Sequence, residues 1–174
     1  GKLQLRTRRV DAAEVVLGAV DAVRPFVESR RHELTVSVES GPHPVVGDPT
    51  RLEQVVVNLL TNAAKYTDEG GRLCLRAGTE GGEFVVRVRD SGVGISPEML
   101  PKVFDLFTQV EGSHDRAQGG LGIGLTLVRI LVAMHGGTVS AASDGPGTGS
   151  EFTVRIPAAP AGSVPPPHQP RTPH

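Results

Sequence analysis

Hydrophobic residues recur along this chain with two different spacings, which predicts helices interleaved with strands. Three stretches repeat apolar residues every three or four positions and are predicted as amphipathic helices: residues 11–26, 52–63 and 124–135. The apolar side of the third helix is expected to hold Leu127, Ile130, Leu131 and Met134. Five stretches alternate apolar and polar residues and are predicted as strands: residues 34–38, 72–77, 83–89, 138–143 and 150–156.

Local signals indicate where several of these elements begin and end. Asp11 is expected to cap the first helix, and Pro25 to kink that helix or to place its end nearby. Ser96-Pro97 supplies an N-cap and a first-turn proline for a short additional helix, whereas Gly136-Gly137 stops the third long one. Gly81-Gly82 favours a hairpin between the two central strands.

The order of these elements predicts an α+β fold, a two-layer sandwich in which helices cover one face of a mixed, mostly antiparallel sheet. Residues 41–49 are interpreted as a turn-rich connection. Residues 1–10 are basic and lack a core pattern, so they are interpreted as a lead-in from a preceding segment. Residues 11–157 form the predicted domain, and the prolines that crowd residues 158–174 predict a disordered or extended linker.

Charge and composition exclude several classes of function. Eighteen basic and 19 acidic residues give a formal net charge of −1, which offers no electrostatic basis for binding nucleic acid or an anionic membrane. The single cysteine, Cys74, excludes an internal disulfide and suits a reducing compartment. No apolar run reaches membrane-spanning length and no signal peptide leads the chain, so a cytoplasmic domain without direct membrane contact is expected, within a parent protein that is either membrane-bound or not.

The second predicted helix carries a polar stripe opposite its apolar one. Asn58 and Asn62 lie one turn apart, and Lys65 falls close to the same line. Neutral amide oxygens suit a magnesium ion that phosphates already partly neutralise, and a lysine suits a phosphate as a point charge. The alternative interpretation of the same stripe is a solvated helix face.

Two glycine-rich segments could approach a ligand closely: Asp90-Ser91-Gly92-Val93-Gly94 after a strand, and residues 119–124 before a helix. A carboxylate at the end of the strand can accept a hydrogen bond from an exocyclic amine such as that of adenine. Glycines that open a helix expose N–H groups to phosphate oxygens. Taken singly, Asp90 is equally consistent with an ordinary turn aspartate, and the second segment with a flexible loop.

Taken together and in order, these segments resemble the catalytic ATP-binding domain of sensor histidine kinases, in the superfamily shared with gyrase B, Hsp90 and MutL. The resemblance spans roughly residues 10–157. It rests on an N box at residues 48–54 and 58–67 (DPTRLEQ, NLLTNAAKYT), a G1 box at 90–95 (DSGVGI), an F box at 104–107 (FDLF), a G2 box at 120–125 (GLGIGL) and a closing strand motif at 147–152 (GTGSEF). It implies the two-layer Bergerat ATP-binding fold, with ATP and Mg²⁺ as ligands.

The resemblance implies a role for each matching position. Asn58 and Asn62 would hold the magnesium ion, Lys65 would contact phosphate, and Tyr66 would pack beside the base or ribose. Asp90 would bond the adenine amine, with Gly94 giving the base room. The remaining pocket positions implied are Gly92 and Ile95 in the G1 box, and Gly120, Leu121, Gly122, Ile123, Gly124 and Leu125 around the phosphates.

The resemblance also implies a mobile lid at residues 108–119. Arg116 within it is either a phosphate contact or a solvated loop arginine. Phe104 and Phe107 are expected to anchor the lid rather than to touch nucleotide, although Phe107 stays among the candidate nucleotide-binding residues. Ser150 stands where many relatives have threonine, and a water-mediated contact near Asp90 is the role considered for it.

One position distinguishes a kinase from a hydrolase. Relatives that hydrolyse ATP carry a glutamate one turn before the magnesium asparagine, and this chain has Asn58 there. An amide cannot act as a general base, so the site is expected to hold ATP intact for an external nucleophile. This position weakens two alternatives, an anti-sigma-type serine kinase and an ATPase clamp like gyrase or MutL. The complete lid and G2 box weaken a third, a degenerate docking module.

No phosphoacceptor histidine is recognised. His32 is interpreted as a surface residue, and His43, His114 and His135 have no supporting context. The implied partners are therefore a dimerisation and histidine phosphotransfer domain, and a response regulator receiver domain that could be fused beyond the proline-rich segment.

Overall fold

The computed structural model describes residues 4–105 and 121–160. The elements follow one another as β1 (Arg8–Asp11), α1 (Ala12–Ser29), β2 (Glu33–Val38), β3 (Pro44–Gly47), α2 (Pro49–Lys65), β4 (Arg72–Glu80), β5 (Glu83–Asp90), a 3-10 helix (Leu100–Lys102), α3 (Leu121–Met134), β6 (Thr138–Ala142) and β7 (Ser150–Pro157).

The main sheet has five strands in the order β2-β4-β5-β7-β6. Strand β2 runs parallel to β4, and every other pairing in this sheet is antiparallel. Strands β4 and β5 form the predicted hairpin, in which Gly81 and Gly82 both have positive φ angles, +57° and +82°, that glycine adopts readily. The prediction of a mixed, mostly antiparallel sheet is confirmed.

The three helices pack against one face of this sheet. Alternate residues of β4, β5 and β7 are buried beneath them: Leu73, Leu75, Ala77, Phe84, Val86, Val88, Phe152, Val154 and Ile156. Helix α2 lies between α1 and α3 and contributes the fully buried Leu59 and Leu60. The side chains of Arg76 and Arg87 sit on the alternate positions, away from the core. The predicted two-layer sandwich is therefore confirmed.

The paired structure extends beyond the predicted elements in three places. Residues 8–10, assigned from sequence to an unpatterned lead-in, lie in strand β1, and Val10 is buried. This strand pairs antiparallel with β3, which falls in the stretch interpreted as a turn-rich connection. Ala158 and Ala159, placed in the linker, donate backbone hydrogen bonds to Gly82 and Pro44. Short strands with one or two buried residues have too few apolar positions to stand out in a sequence.

Pro25 lies inside α1, and the helix ends nearby at Ser29. Two other local predictions need correction. The carbonyl of Ser96 accepts from the N–H groups of Met99 and Leu100, but the helical residues begin only at Leu100 and form a 3-10 turn. The buried side of α3 comprises Leu125, Val128, Leu131 and Val132.

Ile130 and Met134, which were expected to face inward, are 43% and 38% exposed. Helix α3 is apolar around most of its circumference, so its periodicity cannot define which side is buried. Packing against α2 and the sheet determines which side of α3 is buried.

Candidate functional site

A cavity opens between the carboxyl half of α2, the loop after β5, the start of α3 and the first residues of β7. It encloses about 440 Å³ of space that no protein atom occupies, part of it open to solvent. Its walls are formed by Asn62, Tyr66, Asp90, Val93, Gly94, Ile95, Val103, Leu125, Ser150 and Phe152. The wall is largely apolar, with a few convergent polar groups, as is typical of small-molecule sites.

Asp90 is the buried carboxylate of this cavity. Its side chain ends β5 and is held at both oxygens: Oδ1 accepts from the N–H of Gly92 at 2.9 Å and Oδ2 accepts from the hydroxyl of Ser150 at 2.8 Å. Burial raises the pKa of Asp90 above its ordinary value of 3.8, and the hydrogen bonds from Gly92 and Ser150 offset part of that rise. Each carboxylate oxygen retains acceptor capacity for a ligand.

Two asparagines of α2 face the same region. Asn62 is 8% exposed, and its Oδ1 is a buried acceptor without a hydrogen-bond partner. One turn earlier, Asn58 donates from Nδ2 to the carbonyl of Gly124 at 3.3 Å, which joins α2 to the first turn of α3. A buried acceptor left unpaired costs stability, and a donor or a cation placed at Asn62 Oδ1 would remove that cost.

The loop that follows Asp90 is tied to a second loop, residues 143–149. Gly147 donates to the carbonyl of Val93 at 2.7 Å, and Gly149 to that of Gly92 at 3.1 Å. The N–H of Ile95 donates to Ser143 Oγ at 3.0 Å. The second loop supports the wall of the cavity. From sequence, only its last residues, 147–149, were assigned to a motif. The close spacing of Gly145, Gly147 and Gly149 was a signal that could have identified the whole loop.

The pairing of the two loops requires glycine at position 94. Comparing Gly94→Ala with Gly82→Ala tests this requirement. Gly94 has a φ of +73°, and a Cβ there would meet the carbonyl oxygen of Gly145; Gly82 has a φ of +82° with open space around its Cβ position. Left-handed backbone costs alanine about 1–2 kcal/mol at either site, and the collision adds about 1–3 kcal/mol at Gly94 alone. Urea unfolding is expected to show Gly94→Ala as clearly less stable than Gly82→Ala. Equal losses would contradict the close approach.

The structure brings together most of the residues proposed from sequence. Lining the cavity are Asn62, Tyr66, Asp90, Gly94, Ile95, Leu125 and Ser150. Gly92 holds Asp90, and Asn58 reaches Gly124, whereas Lys65 lies in the last turn of α2 without lining the cavity. Leu121, Gly122 and Ile123 lie in the first turn of α3. Phe107, Arg116 and Gly120 fall outside the described residues. Three apolar lining residues were missed: Val93, Val103 and Phe152.

The segment before residue 106 is anchored to α3 and the sheet. The hydroxyl of Thr126 donates to the carbonyl of Phe104 at 2.9 Å, and the Phe104 ring meets that of Phe152 edge-on with centroids 5.9 Å apart. Arg129 and Asp105 form an exposed ion pair at 3.4 Å. The lid at residues 108–119, which Phe104 is expected to anchor, falls outside the described residues, so its anchoring stays a prediction.

The interpretation of His32 as a surface residue is wrong. His32 is 7% exposed, and it bonds through both ring nitrogens. Within residues 4–105 and 121–160, no group of three or more His, Cys, Asp or Glu side chains is placed to hold a metal ion. In the part of the chain that the structure describes, no helix combines the length and the apolar character needed to cross a membrane.

Comparison with known proteins identifies the family. The profile described as "Histidine kinase-, DNA gyrase B-, and HSP90-like ATPase" matches residues 47–160. The sensor histidine kinase RcsC of Escherichia coli K12 is 38% identical over 157 residues, which cover 90% of this chain and 16% of RcsC. The sensor protein TorS of the same organism is 43% identical over 123 residues, which cover 71% of this chain and 13% of TorS.

Two solved structures share the fold closely. The mycobacterial sensor histidine kinase MprB superposes with a TM-score of 0.77 at 30% identity, covering 88% of this chain and 99% of that one. Full-length ShkA in complex with AMPPNP gives a TM-score of 0.77 at 28% identity, covering 92% of this chain and 33% of that one.

The chain thus spans a small part, 13–16%, of the length of the bacterial sensor proteins RcsC and TorS. The profile, the cavity that unites Asn62 with Asp90, and the matching histidine kinase structures agree with one another. The chain belongs to the family of histidine kinase-, DNA gyrase B- and HSP90-like ATPases, as an ATP-binding domain of the sensor histidine kinase kind.

Proposed function

We propose that this chain is the catalytic domain of a protein-histidine kinase, which holds Mg-ATP and presents its γ-phosphate to a histidine on a separate dimerisation domain. The observation that carries the proposal is the single cavity in which the buried carboxylate of Asp90 and the unpartnered Oδ1 of Asn62 converge. The Asp90 carboxylate suits the base of the nucleotide, and Asn62 Oδ1 suits its metal-bound phosphates.

The adenine end of the site is formed around Asp90. Gly92 and Ser150 hold the carboxylate in place while leaving lone pairs free, so it can accept a hydrogen bond from the exocyclic amine of adenine. Ile95, Leu125 and Phe152 supply apolar walls beside that carboxylate, which suits a flat aromatic base.

The phosphate end of the site is formed by α2 and the first turn of α3. Asn62 Oδ1 fits a magnesium ion because it is a neutral oxygen, buried and without a hydrogen-bond partner, and Asn58 lies one turn away. Lys65, in the last turn of α2, is the proposed contact to phosphate. When bound, magnesium neutralises charge on the β- and γ-phosphates. The opening turn of α3 offers backbone N–H groups of the kind that bind phosphate oxygens at a helix N-terminus.

Among the described residues that line the cavity, no group is available as a general base for water. Asp90 is the one carboxylate among them, and in this proposal it accepts a hydrogen bond from the adenine amine. Asn58, at the position where hydrolysing relatives carry glutamate, is an amide and cannot accept a proton. Positioning and charge neutralisation are therefore the means by which this domain promotes phosphoryl transfer. No contact in the described residues favours the serine kinase, clamp ATPase or docking alternatives.

The partners follow from this assignment. The phosphoacceptor histidine belongs to a dimerisation domain, and a receiver domain takes the phosphoryl group onward. Residues 11–157 are the proposed catalytic unit, and the pairing of β1 with β3 supports extending it to include Arg8. Residues before it are the proposed connection to the dimerisation domain.

The experiment measures both the binding of ATP and the transfer of its phosphoryl group. Calorimetric titration is expected to show binding of ATP in the presence of Mg²⁺ and little hydrolysis by the domain alone. Incubation with Mg-ATP and a separately produced dimerisation domain is expected to yield acid-labile, base-stable phosphate on that domain. Phosphate that resists acid would indicate transfer to a hydroxyl and contradict the histidine kinase assignment. Rapid hydrolysis without a partner would indicate an ATPase.

A further inference from the structure

The corner between α1 and β2, residues 30–32, reaches the back of the nucleotide site. Arg31 has a φ of +57° and is the one non-glycine residue with positive φ among residues 4–105 and 121–160. Around it the N–H of His32 bonds the carbonyl of Val27, and the N–H of Arg31 that of Glu28. This left-handed helix end turns the side chains of Arg30 and His32 toward the carboxyl end of α2.

Both side chains bond the same carbonyl. Arg30 donates from Nε to the carbonyl of Ala64 at 2.8 Å and from Nη2 to that of Thr67 at 3.0 Å. His32 Nε2 lies 2.8 Å from the Ala64 carbonyl. The N–H of Gly71 donates to His32 Nδ1 at 3.2 Å, so Nε2 carries the proton and donates to Ala64.

The opposite side of residues 64–71 supports the loop that follows Asp90. The carbonyl of Tyr66 accepts from the N–H of Val93 at 3.0 Å. Gly92 packs so closely that a Cβ there would meet the Tyr66 carbonyl and Thr67 Oγ1. A Cβ at Gly71 would lie 3.2 Å from Ser91 Oγ. Residues 64–71 are therefore held between the α1–β2 corner and the loop that holds Asp90.

We propose that Arg30 and His32 are positioning residues of the nucleotide site, which set the place of Asp90 and hence the preference for adenine. The last carbonyls of a helix have no partner within the helix, so an external donor decides how they are held. The planar guanidinium of Arg30 spans the Ala64 carbonyl at the end of α2 and the Thr67 carbonyl just beyond the helix, with a fixed geometry that an ammonium cannot reproduce. This inference rests on the proposed function, because it assigns to Arg30 and His32 the support of the adenine contact.

A role limited to capping α2 would change stability without changing which base is preferred. The two roles can be separated by comparing ATP with ITP, whose base carries a carbonyl in place of the exocyclic amine. A carboxylate in the correct position accepts from the amine and repels the carbonyl. The ratio of the two affinities therefore reports the placement of Asp90 and is independent of the phosphate contacts.

The experiment measures dissociation constants for Mg-ATP and Mg-ITP, together with urea unfolding, on the wild-type domain and four variants. Wild type is expected to prefer ATP by about 100-fold, the discrimination that a buried hydrogen-bonding group provides. Arg30→Gln and His32→Gln are expected to reduce this preference at least about tenfold, mainly by weakening the binding of Mg-ATP. Arg30→Lys, which keeps the charge but not the planar fork, is expected to restore part of it.

Arg31→Gln is the matched control, since the Arg31 side chain is 82% exposed and pairs with Glu69, whose side chain is 63% exposed. It is expected to keep the wild-type preference. Full preference for ATP in folded Arg30→Gln and His32→Gln would overturn the inference while leaving the proposed function intact. A wild-type domain that binds neither nucleotide, or both equally, would instead contradict the proposed function. If Arg30→Gln does not fold, Arg30→Lys and His32→Gln decide the question.

Discussion

Replacing Asp90 with asparagine is expected to weaken ATP binding by about 100-fold, which corresponds to the loss of a charge-assisted hydrogen bond and its replacement by a mismatched donor. The asparagine is close in size, and its Oδ1 can still accept from the Gly92 N–H that now bonds Asp90. The effect should therefore fall on ligand recognition rather than on folding. Calorimetric titration with Mg-ATP measures it, and Glu151→Gln is the control, since Glu151 follows Ser150 in β7 and is not among the residues that line the cavity. An unchanged ATP affinity would refute the assignment of Asp90.

The same variant has a stability signature that depends on pH. Because burial raises the pKa of Asp90 in the folded state, its ionisation opposes folding, and this cost is absent below the unfolded pKa of about 3.9 and grows as pH rises through the folded value. Asparagine does not titrate. The free energy of unfolding of Asp90→Asn, relative to wild type, is therefore expected to increase between about pH 4 and pH 7. A difference that declines over this range in urea titrations would mean that Asp90 is stabilised as an anion.

Replacing Asn62 with leucine is expected to reduce the affinity for Mg-ATP by about 100-fold or more, since a direct metal ligand should contribute no less than the outer-shell groups whose loss costs 10–100-fold. The shapes of the two side chains are similar, and the leucine removes the buried Oδ1 that has no partner in the unliganded domain. The unliganded variant is expected to be more stable than wild type by about 1–3 kcal/mol, the cost of an unsatisfied buried acceptor.

The control for Asn62→Leu is a second ligand, ADP, measured without a metal ion. ADP binding measured in EDTA depends on the adenine end of the site, so it should change far less than Mg-ATP binding. An equal loss for both ligands would indicate a distorted cavity instead of a missing metal contact. An unchanged affinity for Mg-ATP would exclude Asn62 as a magnesium ligand.

The local pattern of apolar and polar residues was sufficient to predict most of the helices and strands. Alternation predicted β4 and β5, and the Gly81-Gly82 pair predicted the hairpin between them, because strand periodicity and turn geometry depend on neighbours in sequence. Helical spacing likewise predicted α2 and placed Asn58 and Asn62 one turn apart. The order of the motifs was also informative, because the four boxes and the closing strand motif in sequence are far more specific than any one of them.

Pattern was insufficient where an element owes its conformation to distant residues. Strand β1 pairs with β3 across more than 30 residues and buries little, so neither shows a recognisable alternation. His32 is buried because α1 ends in a left-handed residue that turns it toward Ala64, a contact between residues 32 positions apart. Helix α3 offers apolar residues on nearly every side, and its neighbours determine which of them are covered.

The amino-acid sequence by itself determined the kinds and order of the elements and the chemical groups available to a nucleotide, because periodicity, turn residues and side-chain chemistry are local properties. The tertiary structure decided that Asp90 is buried between Gly92 and Ser150, that Asn62 is left without a partner, and that both open into one cavity. It also decided that the α1–β2 corner supports that cavity from behind. These are relations between segments far apart in the chain, and they exist only once the helices have packed on the sheet.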